Sequence, residues 1–251
     1  MTALRCTLYT ISLILLIQSP AFSAEIDCLK CHAALAKEKF VHAALEMGCT
    51  TCHEGIDATV VPHKKTNKLA KGLSAEQPTL CYGCHDKAKF TKKMIHAALE
   101  MGCTSCHNPH SSKYAKLLIA EPPALCQNCH EKAEFSRKNV HVPVAEGICM
   151  SCHTPHSSEY TALLLKEPIR VCLECHAEVR KTPHAMTGFE TAGHPIGLLK
   201  IGTKEFPDDP ARPGKKFYCG SCHNPHSSDS MKLFRYKANM ALEICSNCHK
   251  K

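Results

Sequence analysis

The pentapeptide C-x-x-C-H occurs nine times in 251 residues, and no other feature constrains the fold of the chain so tightly. The copies are Cys28/Cys31/His32, Cys49/Cys52/His53, Cys81/Cys84/His85, Cys103/Cys106/His107, Cys126/Cys129/His130, Cys149/Cys152/His153, Cys172/Cys175/His176, Cys219/Cys222/His223 and Cys245/Cys248/His249. Eighteen of the nineteen cysteines are used in this way; the other, Cys6, lies in the N-terminal apolar segment. Chance placement at this composition would give about 0.1 such pentapeptides.

Three common uses of paired cysteines fit poorly. Disulfides explain neither the constant two-residue spacer nor the histidine that always follows. Structural zinc takes two pairs per metal and would divide nine pairs unevenly. A thioredoxin-like pair would occur once, inside a strand–helix pattern that is absent here. What remains is thioether attachment of haem c. The two thiols add across the vinyl groups of one porphyrin, and the adjacent histidine supplies an axial nitrogen to iron. Nine covalently attached haems are therefore expected, held by all eighteen cysteines. The proximal ligands are then His32, His53, His85, His107, His130, His153, His176, His223 and His249.

Nine further histidines match that count: His42, His63, His96, His110, His141, His156, His184, His194 and His226. One follows each of the first six motifs, two follow the seventh, one follows the eighth and none follows the ninth. Number and alternation together mark them as the distal ligands of six-coordinate irons. Methionine is the usual competitor. Met47 and Met101 recur in HAALEMGC, but the looser third copy has Ala145 at the matching place, so packing is the expected role of both.

Haem changes the reading of charge. The formal net charge is +8. Loss of Arg5 with a leader takes it to about +7, and nine ferric haems with their propionates bring it to about −2. A nucleic-acid partner is not expected, because no interleaving of aromatic and basic residues accompanies the basic composition. The leader itself is read from Arg5, the apolar run Leu8 to Ile17 and the small residues around Ala21, Ser23 and Ala24. It is a secretory signal peptide over residues 1–23, cut near 23/24, with an uncleaved anchor as the alternative. No later stretch is apolar and long enough to span a membrane. Export to the periplasm is expected, the outer cell surface and the extracellular space being the alternatives.

The motifs belong to a longer repeat. HAALEMGCT stands at 42–50 and again at 96–104, and CTSCHNPHSS at 103–112 has near-copies at 149–158 and 219–228. Each unit reads as a histidine, C-x-x-C-H-x-P-H-S-S, a Leu-rich stretch and a second C-x-x-C-H. The first unit departs from this, with Pro62-His63 ten residues after His53. Counted by pairs of motifs, the haem-binding domain at 24–251 divides into 28–85, 86–130, 131–176 and 177–251. The last carries a Pro- and Gly-rich loop insertion at about 182–218.

Chain geometry separates the histidines of a unit. A continuous helix would set His85 and His96 about 16 Å apart, whereas two axial nitrogens on one metal lie about 4 Å apart. Between His107 and His110 the chain spans at most about 10 Å, too little to round a macrocycle. In both cases the second histidine should serve a different haem, so that each segment straps two haems together. The Ala-, Lys- and Leu-rich segment 85–102 favours short helices ending at Gly102, as does its counterpart ending at Gly48. With no Trp and few aromatic residues, the porphyrins must form the apolar core. The expected fold class is mainly irregular and α: short helices and loops wrapped around a stacked chain of covalently bound haems, with little or no β-sheet.

These residues resemble the doubled C-x-x-C-H family of multihaem c-type cytochromes. The resemblance rests on CTSCHNPHSS…CQNCH, CMSCHTPHSS…CLECH and GHP…CGSCHNPHSS…CSNCH, and covers residues 42 to 249. It implies covalent haem, mostly bis-histidine ligation and respiratory electron transfer in the bacterial periplasm or at the cell surface. It also implies proximal roles for His107, His153 and His223, and distal roles for His96, His141, His110, His156, His226 and His194. An exported electron carrier is therefore expected, passing electrons between other redox proteins: a quinol-oxidising complex, other cytochromes or a terminal reductase. The alternatives are a multihaem reductase with one open iron near His184, His194, Arg180 and Lys181, and a subunit of an extracellular cytochrome filament.

Overall fold

The computed structural model describes residues 26–180 and 208–249. The expected leader, His184, His194 and most of the expected insertion lie outside them. Within the described residues the chain is mainly irregular. Its α-helices are single turns such as Leu29–His32, apart from Pro168–Cys175, and most remaining helical residues form 3-10 turns. The segment 85–102 is accordingly not a helix. It is a 3-10 turn at Lys87–Lys89, a two-residue strand and a second 3-10 turn at Ala97–Met101. Gly48 and Gly102 end their turns as expected, at φ 88° and 84°, where a side chain would be strained. No described helix is long and apolar enough to cross a membrane.

Regular pairing among the described residues is limited to eight strands of two residues. They are β1 (Phe40–Val41), β2 (Ile56–Asp57), β3 (Lys64–Lys65), β4 (Met94–Ile95), β5 (Ser111–Ser112), β6 (Asn139–Val140), β7 (Ser157–Ser158) and β8 (Ser227–Ser228). All pair antiparallel, as β1 with β5, β4 with β7, β6 with β8 and β2 with β3. Three of the four pairs join the strand just before an isolated histidine to the Ser-Ser of the next unit. In the first unit β2 and β3 pair with each other instead. This accounts for the nine residues between His53 and His63, which form most of a hairpin where later units carry a docking strand.

The serines explain why such short strands hold. Ser111, Ser157 and Ser227 are buried, and each hydroxyl donates to a carbonyl of the preceding unit: Leu35, Lys89 and Glu134 respectively. Ser157 and Ser227 also accept from the backbone N–H of Lys92 and Arg137. A second layer, Ser112, Ser158 and Ser228, donates to Leu118, Leu164 and Phe234 within its own unit. Small polar side chains thus satisfy both partners where two units meet.

Apolar burial is scarce. Among the described residues only Ile169, Leu173, Phe217, Phe234 and Ala238 are buried hydrophobics, all of them in the C-terminal third. Met47 and Met101, expected to pack, are 60% and 61% exposed, and Ile95 and Val142 beside isolated histidines are equally uncovered. A protein core made of side chains is missing where the motifs are densest.

Part of the expected insertion is ordered around a buried ion pair. Asp209 is 4% exposed, and Arg212 donates to it at 2.6 Å and to Ser221 at 3.0 Å. Burial opposes ionisation of Asp209, but the hydrogen bonds from Ser221 and Arg212 hold its carboxyl below the usual value.

Candidate haem sites

Seven pairs of histidine rings face each other at nearly constant separation. Ring centroids lie 5.9 Å apart for His32 and His63, 6.1 Å for His53 and His110, and 6.1 Å for His85 and His42. The remaining pairs are His107 with His156 at 6.0 Å, His130 with His96 at 6.1 Å, His153 with His226 at 5.9 Å, and His176 with His141 at 6.0 Å. Each pair joins one motif histidine to one isolated histidine. The two rings named in each strap, His85 with His96 and His107 with His110, turn to different partners. His184 and His194 are outside the described residues.

The pairing follows a rule that the sequence does not display. The histidine that precedes a unit's first motif (His42, His96, His141) faces the second motif of the same unit. The histidine in P-H-S-S (His110, His156, His226) reaches back to the first motif of the unit before. The strand pairs enforce this: the N–H of His42, His96 and His141 donates to the carbonyl of His110, His156 and His226 at 2.8, 2.9 and 3.0 Å.

A second set of contacts orients the rings. Nδ1 of His53, His107, His153 and His223 lies 2.8 to 3.0 Å from the carbonyls of Lys71, Lys116, Ala162 and Lys232. Nδ1 of His63, His42, His96 and His141 lies 2.8 to 2.9 Å from the carbonyls of Val60, Pro109, Pro155 and Pro225. A carbonyl only accepts, so each Nδ1 carries the proton and Nε2 keeps the lone pair, as metal binding requires. All four turn residues are non-glycine and held at positive φ, a conformation that no sequence pattern advertised. His110, His156 and His226 are held neutral differently. Burial pushes their pKa down first, followed by the charges of neighbouring histidines and, for His110, Lys71.

Thiols of consecutive motifs lie within reach of each other at Cys28 with Cys49, Cys81 with Cys103, Cys126 with Cys149, and Cys172 with Cys219. Burial and Cys103 push Cys81 up to about 11, while Cys219, then burial, raises Cys172. Cys52 adds to the rise at Cys81, Cys106 to that at Cys126, and Cys248 and Cys245 to that at Cys222.

The eighteen cysteines, alike in the sequence, are not alike in the structure. Cys31, Cys84, Cys129, Cys152 and Cys175 stand outside the thiol-to-thiol proximities just described. Cys31 and Cys129 are exposed, as are Cys84 and Cys175, whereas Cys152 is half-buried with its sulfur 3.7 Å from the Ser151 hydroxyl. None of the eighteen forms a disulfide with another.

These residues fit haem c on three counts. Two metal–nitrogen bonds of about 2 Å, plus about 1 Å from each nitrogen to its ring centre, span about 6 Å, the separation found. Apolar side chains beside the pairs are bare of protein cover. Finally, the Tyr236 hydroxyl is buried without a hydrogen-bond partner beside Asp209 and Cys248, a place for a polar group that no described residue fills.

Fold and motifs together define a multihaem c-type cytochrome, with covalently bound haem c and a role in electron transfer. A family model described as the doubled CXXCH motif matches residues 42–90, 96–135, 141–181 and 209–251, and the chain belongs to that family. No curated protein matches it.

Proposed function

We propose that the chain is an exported conduit of nine haems, each iron closed by two histidines. The observation that carries this is the set of seven histidine pairs at 5.9 to 6.1 Å. With His184 and His194 the isolated histidines number nine, one for each motif. Haem provides the one-electron chemistry when bound. The protein attaches it through the cysteine pairs, fixes the tautomer of the axial rings, and keeps neighbouring motifs close. A closed iron offers no coordination position to a substrate, which favours transfer over catalysis. Proximity of successive motifs from Cys28 to Cys149, and again from Cys172 to Cys248, favours a wire over a store of isolated centres. Export is supported by the leader, and the partners are other redox proteins that meet exposed haem edges.

The test is the CO difference spectrum of the dithionite-reduced holoprotein. No shift is expected. A shift equivalent to about one haem in nine would reveal an open iron and favour a reductase.

A further inference from the structure

The seven histidine pairs share a further rule. In each, one ring gives its Nδ1–H to a backbone carbonyl, and the other makes no hydrogen bond to a described residue. At 49–53, 103–107 and 149–153 the bonded ring belongs to the motif: His53, His107 and His153. At 28–32, 81–85, 126–130 and 172–176 it belongs to the incoming histidine: His63, His42, His96 and His141. The rule therefore holds across two different local structures, which argues against a by-product of either one.

The first kind of acceptor costs the chain backbone strain. Lys71, Lys116, Leu117, Ala162, Leu163, Lys232 and Leu233 are all the non-glycine residues with positive φ among those described, and all sit in the four turns beneath motif histidines. The left-handed conformation is strained for any residue that carries a Cβ. In each turn it aims the carbonyl of the first such residue at a histidine. The second kind of acceptor is the proline of P-H-S-S, except at His63, which bonds Val60. The carbonyl of Pro109 accepts from His42, while His107 and His110 belong to two other pairs. The tetrapeptide 107–110 thus touches three sites.

Donation of Nδ1–H to an acceptor makes an imidazole a stronger donor to its metal and favours the oxidised ion. One bonded ring per iron gives every site the same axial donor strength. We infer that Lys71, Lys116 and Ala162, with Val60, Pro109, Pro155 and Pro225, are positioning residues. Their carbonyls give each of the seven paired sites one bonded imidazole and so level the reduction potentials along them. This rests on the reading of the pairs as axial ligands.

Ala162 tests it, because its methyl group has no other task. Valine is disfavoured at φ 54°, whereas glycine is at ease there. The holoprotein variants Ala162→Val and Ala162→Gly are compared with the parent by haem content, EPR, potentiometric titration and solvent exchange of the His153 ring N–H. In Ala162→Val the exchange should quicken and one Nernstian component in nine should move to higher potential, with nine low-spin haems retained. Ala162→Gly should overlay the parent. Lys116→Val and Lys116→Gly repeat the comparison at His107. Faster exchange with unmoved potentials overturns the inference, as does a glycine variant that shifts as far as valine. Loss of the haem from a valine variant also overturns it, since tuning leaves attachment intact. Missing low-spin bis-histidine signals in the parent would instead overturn the ligand reading itself, a result seen before any variant is made.

Discussion

The carbonyl oxygen of Pro109 lies 2.8 Å from Nδ1 of His42, while the ring of the next residue, His110, faces His53 at 6.1 Å. Two adjacent backbone positions therefore serve two sites, and His107 serves a third. Mutations a few residues apart should accordingly act on different haems.

His42→Ala removes the histidine that faces His85. The reduced variant should bind about one equivalent of CO, from the 81–85 site. In a background where Cys81 and Cys84 are replaced by serine, the same substitution should add no CO binding, because the site it opens is gone.

His110→Ala and His156→Ala should open the 49–53 and 103–107 sites independently. CO binding should rise to about two equivalents in the double variant, as expected for separate sites. One equivalent would place both histidines on a single iron.

Without haem the chain has few hydrophobic side chains to bury, five among the described residues. Made in a host that lacks c-type maturation, it should be unfolded by circular dichroism and cut rapidly by protease. The holoprotein should resist the same protease.

Ser227 is 0% exposed, donates to Glu134 O and accepts from Arg137 N. Ser227→Ala strands both backbone groups at a junction between units, at a cost of about 2 kcal/mol. Chemical denaturation of the holoprotein should show this loss. Hydrogen exchange should rise first around residues 134–141 and 226–230.

Asp209 is a carboxyl whose pKa is depressed on folding, from the unfolded value of 3.8. Its contribution is therefore full above about pH 4 and lost as pH falls through the lower, folded value. Asp209→Asn should cost about 2 kcal/mol at neutral pH and flatten the acid limb of the stability profile, measured by denaturant titration between pH 2 and 7, a window chosen around carboxylate pKa values.

The chemistry was far more legible in the sequence than the arrangement. C-x-x-C-H names its own purpose, and the paucity of aromatic residues announced a fold without a side-chain core. The helical reading of 85–102 went astray because intrinsic propensity is worth only tenths of a kcal/mol per residue. Here the strand pairing of Met94–Ile95 with Ser157–Ser158 decides the backbone. Nor could spacing show that His110 reaches back to His53, since that depends on contacts between units far apart in the chain. The split between Cys126, which meets the next motif, and Cys129, which does not, was hidden in the same way. The carbonyls of Lys71, Lys116, Ala162 and Lys232 were invisible for a different reason: any residue carries a carbonyl, and only the left-handed turn aims it.

The backward reach of P-H-S-S also has a meaning for how such a molecule comes into being. A chain that emerges from its N-terminus presents His53, His107 and His153 well before His110, His156 and His226 arrive to face them. Each unit is thus finished by its successor, in the manner of stitches closed one row late. A version cut after any complete unit would leave the first motif of that unit facing nothing, so faults of length would be reported at the broken end and nowhere else.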